Sequence, residues 1–163
     1  MTSSPPARRR PPHGRAAALL APLLALTGCP GAASSPDGPP SMRYAVDPCD
    51  RCQMIVSEER FAAAYVTPGG EARRFDDLGC LTSLLQERPE PVREVWTHDH
   101  ETRAWLRGRA AVIVRAPGLV TPMGTGLVAV ADEERARALA ARTGGAVLTY
   151  DEFRALGPGA WPR

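Results

Sequence analysis

The pattern of apolar and polar positions in the first half of the chain predicts two strands, a helix and a third strand. The runs 61–66 and 72–75 are extended and flank a Pro-Gly-Gly turn, a combination typical of a β-hairpin. The segment 76–88 begins with two aspartates, which suit a helix start, and continues with leucines at helical spacing. Two prolines then end the helix, and residues 92–98 resume an extended pattern.

The second half repeats this order over about the same length. Apolar strands are predicted at 110–116 and 126–131, followed by a helix at 132–143 that starts with three acidic residues and stops before two glycines. The run 146–150 is the last predicted strand, and 151–156 forms a short final helix. We therefore predict an α+β fold built from two tandem strand-strand-helix-strand units.

Each unit is expected to bury one face of its sheet under one helix. The predicted core of the first unit comprises Val66, Phe75, Leu84, Leu85 and Trp96. That of the second unit comprises Ile113, Val128, Leu139, Val147 and Leu148. Long loops precede the first hairpin, join the two halves and interrupt the second hairpin, and loops often carry function.

A different composition marks the start of the chain. A basic stretch with four arginines is followed by an apolar segment too short to span a bilayer, and the sequence Leu-Thr-Gly-Cys that ends it resembles a bacterial lipobox. We predict that residues 1–28 are a lipoprotein signal peptide and that Cys29 becomes lipidated; an ordinary signal peptide is the alternative. Residues 29–43, rich in Pro, Gly and Ser, are predicted to be a flexible tether. The two folded units are placed at 44–101 and 102–163.

The net charge depends on whether the signal is counted. The whole chain has 20 basic and 18 acidic side chains, for a net charge of +2. Removing residues 1–28 takes away four arginines and no acids, which leaves a net charge of −2. The apparent basicity therefore belongs to the signal, and no nucleic-acid partner is expected. The expected location is the cell envelope, with the protein lipid-anchored to a membrane and facing the periplasm.

Sulfur donors are concentrated in the segment DPCDRCQMIV, residues 47–56. Cys49, Cys52 and Met54 fall within six positions of a chain that has only four cysteines and four methionines. Met123 lies in a Pro/Gly loop without an apolar period, whereas methionine usually fills a core. Thiolate and thioether ligands together favour Cu(I), so these four residues are the first candidates for a soft-metal site. Secondary candidate ligands are Cys80, His98 and His100.

Three other interpretations of the cysteines remain open. A structural zinc site needs four Cys or His ligands, which would have to come from scattered positions. A disulfide from Cys49 to Cys52 or Cys80 suits an oxidising compartment, and either site would fit a small adaptor lipoprotein. A thiol-disulfide oxidoreductase is disfavoured because no helical run follows Cys52. The sequence shows no Ser-His-Asp constellation, phosphate loop or paired catalytic carboxylates, so we favour a protein that is not an enzyme.

Four motifs, in order along the chain, resemble those of the NosL family: CDRCQM, RRFDDLGCL, WTHDHETRAWL and TPMGTGLVAV. Members of this family are copper-binding lipoproteins that accompany nitrous oxide reductase. The resemblance covers roughly residues 47–156 and implies tandem strand-strand-helix-strand units. It also implies a Cu(I) chaperone that supplies the copper-sulfur centre of the reductase, working with a copper/sulfur-maturation transporter complex.

The same resemblance implies roles for individual residues. Cys52 and Met54 match the Cys-Gly-Met of the family, and Met123 matches its Pro-Met-Gly. Gln53 stands where the family has glycine, so a left-handed backbone conformation at this position would carry a side chain. The geometry of the loop around these ligands is therefore expected to differ from the family pattern.

Overall fold

The computed structural model describes residues 1–2 and 37–160. Contacts divide the chain into Met1–Ala32 and Ala33–Arg163, and the features below belong to the second of these units. The predicted signal peptide, most of the tether and Cys29 lie outside the described residues and remain predictions. Among the described residues, no helix is both long enough and apolar enough to cross a membrane.

The first sheet is built around the opening strand of the predicted hairpin. Strand β1 (Ala63–Val66) pairs antiparallel with β2 (Ala72–Phe75) on one side and with β3 (Glu94–His98) on the other. Helix α1 (Leu78–Glu87) connects β2 to β3. A fourth strand, β4 (Trp105–Arg107), pairs with β3 and gives the order β2-β1-β3-β4.

The second sheet repeats this topology. Strand β5 (Val112–Arg115) is central and pairs antiparallel with β6 (Leu127–Val130) and β7 (Ala146–Leu148). Helix α2 (Glu133–Thr143) connects β6 to β7, and a short helix α3 (Tyr150–Ala155) follows. The predicted α+β class and its two strand-strand-helix-strand units are confirmed.

Three local details differ from the sequence prediction. Residues 59–61 form a 3-10 turn, so Phe61 lies outside β1. Trp105, expected in a loop, opens β4, and β4 pairs with the first sheet although it follows the predicted boundary between the units. Tyr150, expected in the last strand, opens α3 because Thr149 forms a capping box at the start of that helix. The exact domain boundaries remain predictions.

Both repeat helices begin at a capping aspartate. Asp77 accepts a hydrogen bond from the backbone N–H of Gly79 (2.7 Å) at the start of α1. Asp132 accepts one from the backbone N–H of Arg135 (2.9 Å) at the start of α2. Such caps satisfy N–H groups that have no partner within the helix, which is why the acidic signals in the sequence located both helices.

Burial agrees with the predicted core except at the last strand. The other predicted core residues are buried, but Val147 is 36% exposed and Leu148 is half-buried. Val147 is the wrong prediction, because β7 is largely uncovered, with two exposed residues and one half-buried, whereas β6 at the other edge of the sheet is buried throughout. The apolar pattern identified the strand correctly but could not show that it is left largely uncovered.

The second sheet buries both of its faces rather than one. Ile113, Leu127 and Ala129 join the core of the first repeat. Val114 and Val128 point to the opposite face and pack in a second cluster with residues of α2. Because successive side chains on a strand alternate between faces, a strand buried on both sides reads as the continuous apolar run seen here.

The connector between the repeats is organised by one buried carboxylate, Asp99. Its Oδ1 atom accepts hydrogen bonds from the backbone N–H groups of Glu101 (3.0 Å) and Thr102 (2.8 Å), and its Oδ2 atom accepts one from that of Ala131 (2.7 Å). Burial opposes ionisation, but these hydrogen bonds hold the pKa of Asp99 below its usual range. Asp99 thereby ties the end of the first sheet to the start of the second repeat helix.

Replacing Leu85 with alanine tests the first core. Leu85 is 6% exposed on α1, so the change should lower the free energy of unfolding by about 2–5 kcal/mol through lost burial and a residual cavity. Urea denaturation measures the loss. Val147→Ala is the matched control at an exposed apolar site and should cost less than about 1 kcal/mol. Equal losses in the two variants would contradict the burial difference between these residues.

Candidate metal centre

Three cysteine side chains converge beside α1. The Sγ atoms of Cys49, Cys52 and Cys80 all lie within 4.8 Å of one another. All three are free thiols. Cys49 and Cys80 are fully buried within the core of the first repeat, whereas Cys52 is only partly buried. The arrangement is therefore a three-thiol cluster with one member accessible from solvent.

The loop that carries two of these thiols is closed by its own backbone. The N–H of Cys49 donates to the carbonyl of Met54 (2.7 Å), and the N–H of Gln53 donates to the carbonyl of Cys49 (3.0 Å). Asp50 fastens the loop to β2, because its backbone N–H donates to the carbonyl of Arg74 (2.8 Å) and its carboxylate accepts from the N–H of Arg74 (2.6 Å). The two cysteines of the loop are thus held against the first sheet.

The third thiol comes from the first turn of α1. Asp77 caps this helix, and the backbone N–H of Cys80 donates to the Asp77 carbonyl (3.0 Å). A helix N-terminus carries partial positive charge, which favours a negatively charged sulfur nearby. Cys80, predicted from the sequence only as a secondary candidate ligand, lies in the cluster beside Cys49.

The three thiols differ in their pKa values. The hydrogen bond from Cys80 lowers the pKa of Cys49 to about 5, with burial opposing this and backbone N–H groups of Cys52, Asp76 and Arg51 supporting it. The pKa of Cys80 is raised, because its thiol donates to Cys49 and because it is buried. Burial also raises the pKa of Cys52. A metal ion that binds all three sulfurs therefore has to displace protons from the cluster.

Gln53 adopts the left-handed conformation, with φ of 63°, at the position where the sequence analysis noted an expected glycine. Its side-chain Nε2 donates to the carbonyl of Cys49 (3.2 Å), which partly compensates for the strained backbone. Gln53 therefore occupies a backbone conformation that glycine would adopt without strain.

Two variants of Gln53 measure this strain. Gln53→Gly should change the free energy of unfolding by less than about 1 kcal/mol, because relief of strain offsets the lost side-chain hydrogen bond and the greater freedom of the unfolded chain. Gln53→Val should destabilise by about 1–3 kcal/mol, since a β-branched residue fits a positive φ poorly. Denaturant unfolding of both variants is the measurement. A valine variant as stable as the glycine variant would show that the loop does not need this conformation.

The two candidate methionines occupy different environments. Met54 is 52% exposed, next to the thiol loop. Met123 is partly buried, and its backbone N–H donates to the Asp77 carboxylate (3.2 Å). The Thr125 hydroxyl donates to the same carboxylate (2.5 Å). The loop of Met123 is therefore fixed to the aspartate that caps the helix of Cys80.

The two histidines are not among the residues gathered at the thiol cluster. His98 is buried, with Nε2 at 2.6 Å from the Tyr44 hydroxyl and Nδ1 at 2.7 Å from the Arg103 carbonyl. His100 packs beside the ring of Phe61, with centroids 5.4 Å apart. Both ring nitrogens of His98 are thus already engaged, and a ligand role for either histidine remains a prediction.

The donor set suits a soft ion with low coordination number. Across residues 37–160, no His, Asp or Glu side chain joins the three cysteines as a fourth ligand within the same distance. A closed structural zinc site has four protein ligands. Thiolates and thioethers together are the ligands that select Cu(I). The geometry can therefore bind one soft cation through three sulfurs and leave a position for an incoming ligand.

Two features of the site could not be predicted from the sequence. Arg51, within the Cys-x-x-Cys segment, forms an ion pair with Glu87 on α1, and nothing in a single sequence pairs these residues. Asp77 was expected only to cap a helix, but it also binds the Met123 loop. Asp77 and Met123 both lie in motifs that resemble the NosL family, which marked each residue as a candidate. The motifs did not show that the two residues are in contact.

Comparisons with known proteins identify a family and a similar fold. The family model named NosL matches residues 43–155, more than half of the chain. The fold is similar to that in the crystal structure of the copper chaperone NosL from Shewanella denitrificans, with 21% sequence identity and a TM-score of 0.57. That match covers 74% of this chain and 98% of the Shewanella chain. A search of curated protein sequences found no match.

Proposed function

The chain belongs to the NosL family, and on this premise we propose that it is a copper-binding chaperone that carries Cu(I) and is not an enzyme. The observation that carries the proposal is the convergence of three thiols, two buried and one partly exposed. The similarity in fold to a protein described as a copper chaperone supports it.

The choice of Cu(I) follows from the donor set. Among residues 37–160, no His, Asp or Glu joins the three cysteine sulfurs, and such a set favours a soft monovalent ion over zinc, which prefers a closed tetrahedral site. Met54 and Met123 add thioethers on the loops beside the cluster, and thioethers bind Cu(I) without needing to lose a proton.

Accessibility suits a carrier, which has to release its cargo. Cys52 is partly exposed and Met54 is 52% exposed, so a sulfur or imidazole from a partner can approach the ion before the buried ligands let go. Cys49 and Cys80 keep the ion attached during this exchange. A fully enclosed four-cysteine site would offer no such approach.

The proposed recipient is nitrous oxide reductase, reached together with its copper/sulfur-maturation transporter complex. The four sequence motifs support this partner, as does the lipobox at Cys29, which would anchor the protein in the cell envelope facing the periplasm. The net charge of −2 after removal of residues 1–28 argues against nucleic acid. The copper delivered would enter the copper-sulfur centre of the reductase.

Competition titration of the reduced protein with Cu(I) and Zn(II) tests the cargo. We expect one Cu(I) per chain, bound in preference to Zn(II). A preference for Zn(II) would overturn the function and favour the adaptor interpretation. In cells, the Cys52→Ser variant should yield nitrous oxide reductase depleted in its copper-sulfur centre when copper is scarce; a fully loaded enzyme would remove this recipient from the proposal.

Cell fractionation tests the anchor. Two acyl chains are needed for stable membrane attachment, and a diacylglyceryl Cys29 would supply them. Wild-type protein should partition with membranes, and Cys29→Ala should remain uncleaved at this site or become soluble. Wild-type protein found only in the aqueous fraction would contradict the lipobox assignment.

A further inference from the structure

The side chain of Arg51 extends from the cysteine loop to the C-terminal end of α1. Its Nε and Nη2 atoms donate to the Glu87 carboxylate at 3.2 and 2.7 Å, a paired arrangement that fixes the guanidinium. Glu87 lies seven residues after Cys80 on the same helix, and residues seven apart share one helix face. The Arg51 side chain therefore runs along the face of α1 that carries the third thiol.

Arg51 also lies close to the thiol cluster, because it immediately precedes Cys52 in the cysteine loop. The hydrogen bond with Glu87 raises the pKa of Arg51, and an interaction with the Cys80 side chain raises it further. The backbone N–H of the same arginine interacts with Cys49. The Arg51 side chain is 24% exposed, so its charge is partly shielded from water. The cysteine loop therefore carries a positive charge next to Cys52, held in place by its pairing with Glu87.

We propose that Arg51 is a specificity-determining residue that favours a monovalent over a divalent cation in the cluster of Cys49, Cys52 and Cys80. The inference rests on the proposed function, because it concerns the cargo of the same site. With the same three thiolates as ligands, the cluster carries one more negative charge when it holds a monovalent ion. A neighbouring cation stabilises that more negative complex to a greater extent.

Two buried carboxyl groups have the opposite effect and favour a divalent cation. Asp76 interacts electrostatically with Cys49, and Asp77 with Cys80, and negative charge at these positions favours the more positive cargo. The positive charge of Arg51, which lies on the α1 side of the cluster, offsets these negative charges. Arginine suits this role because it stays protonated and its planar fork binds a carboxylate in one orientation, whereas lysine supplies the charge without the fork.

Competition between Cu(I) and Zn(II), each with a chelator of known affinity, tests the inference on the full-length protein at low ionic strength. Arg51→Gln should reduce the ratio of Cu(I) to Zn(II) affinity by about 10-fold, the effect of one unit charge near a protein surface. Arg51→Lys should recover most of the ratio. The reduction should shrink as salt is added, because salt screens partly exposed charges.

Arg107→Gln is the matched control, because Arg107 forms an ion pair of the same length, 2.7 Å, with Glu94 on the first sheet. It should leave the ratio unchanged. If the wild-type protein binds Cu(I), two results would overturn the role of the charge. One is an affinity ratio that Arg51→Gln leaves unchanged, and the other is an equal reduction of the ratio in Arg51→Lys. Wild-type protein that does not bind Cu(I) would instead refute the proposed function, and this inference with it.

Discussion

Replacing Cys52 with serine is expected to lower the affinity for Cu(I) by at least about 100-fold. Changes to residues that only support a metal ligand typically cost about 10- to 100-fold, and this change removes a ligand sulfur itself. The serine hydroxyl is a hard oxygen donor, whereas Cu(I) prefers soft sulfur. Titration of the reduced variant against a Cu(I) chelator of known affinity gives the loss directly.

Two controls separate loss of a ligand from loss of the fold. Cys52 is only partly buried, so serine should be accommodated, and the metal-free variant should unfold at nearly the same temperature as the wild type. Met54→Ala removes an exposed thioether and should weaken Cu(I) binding less than Cys52→Ser does. Tight binding retained in Cys52→Ser would mean that Cys49 and Cys80 suffice, and that Cys52 is not a ligand.

Replacing Asp77 with alanine should lower the free energy of unfolding by about 3–6 kcal/mol. The Asp77 carboxylate is fully buried and accepts hydrogen bonds from Gly79, Met123 and Thr125. Removing it takes away the acceptor of three donors, of which only the Thr125 hydroxyl has another oxygen, Thr121 Oγ1, within 3.5 Å, and an unsatisfied buried donor costs about 1–3 kcal/mol. Denaturant unfolding measures the total. The same variant should also bind Cu(I) more weakly, because the Met123 loop loses its attachment.

The second repeat supplies the matched control for Asp77. Asp132 occupies the equivalent position at the start of α2, but it is exposed and accepts a single hydrogen bond from the helix, from Arg135 N. Asp132→Ala should therefore cost only about 1 kcal/mol, the usual contribution of a helix cap. If the two alanine variants were equally stable, Asp77 would be no more than a cap.

Much of the fold could be predicted because local signals agreed with one another. Acidic caps, leucines at helical spacing and turn residues each marked the same helix ends, and the repeated order of elements revealed two units. The edge position of β7 and the pairing of β4 with β3 could not be predicted, because both depend on which strands meet in space. Val147 was misplaced in the core because its apolar pattern does not show that β7 is left largely uncovered.

The candidate site was predicted in its residue types more than in its geometry. The clustering of Cys49, Cys52 and Met54 in one segment marked the loop, and softness of the donors indicated copper. Cys80 joins the cluster through contacts between distant parts of the chain, which a single sequence does not report. The salt bridge from Arg51 to Glu87 spans 36 positions and was invisible for the same reason.

The core that contains Cys49 and Cys80 is completed by residues of the second repeat, namely Ile113, Leu127 and Ala129. Unfolding of either repeat would therefore expose apolar surface of the other. The molecule should therefore behave as one cooperative folding unit, with a single two-state transition in which the thiol cluster disappears together with both sheets. Loss of cargo by global unfolding would then be as rare as unfolding itself. Release from the folded protein is therefore expected on the side of Cys52, the cysteine of the cluster that is only partly buried.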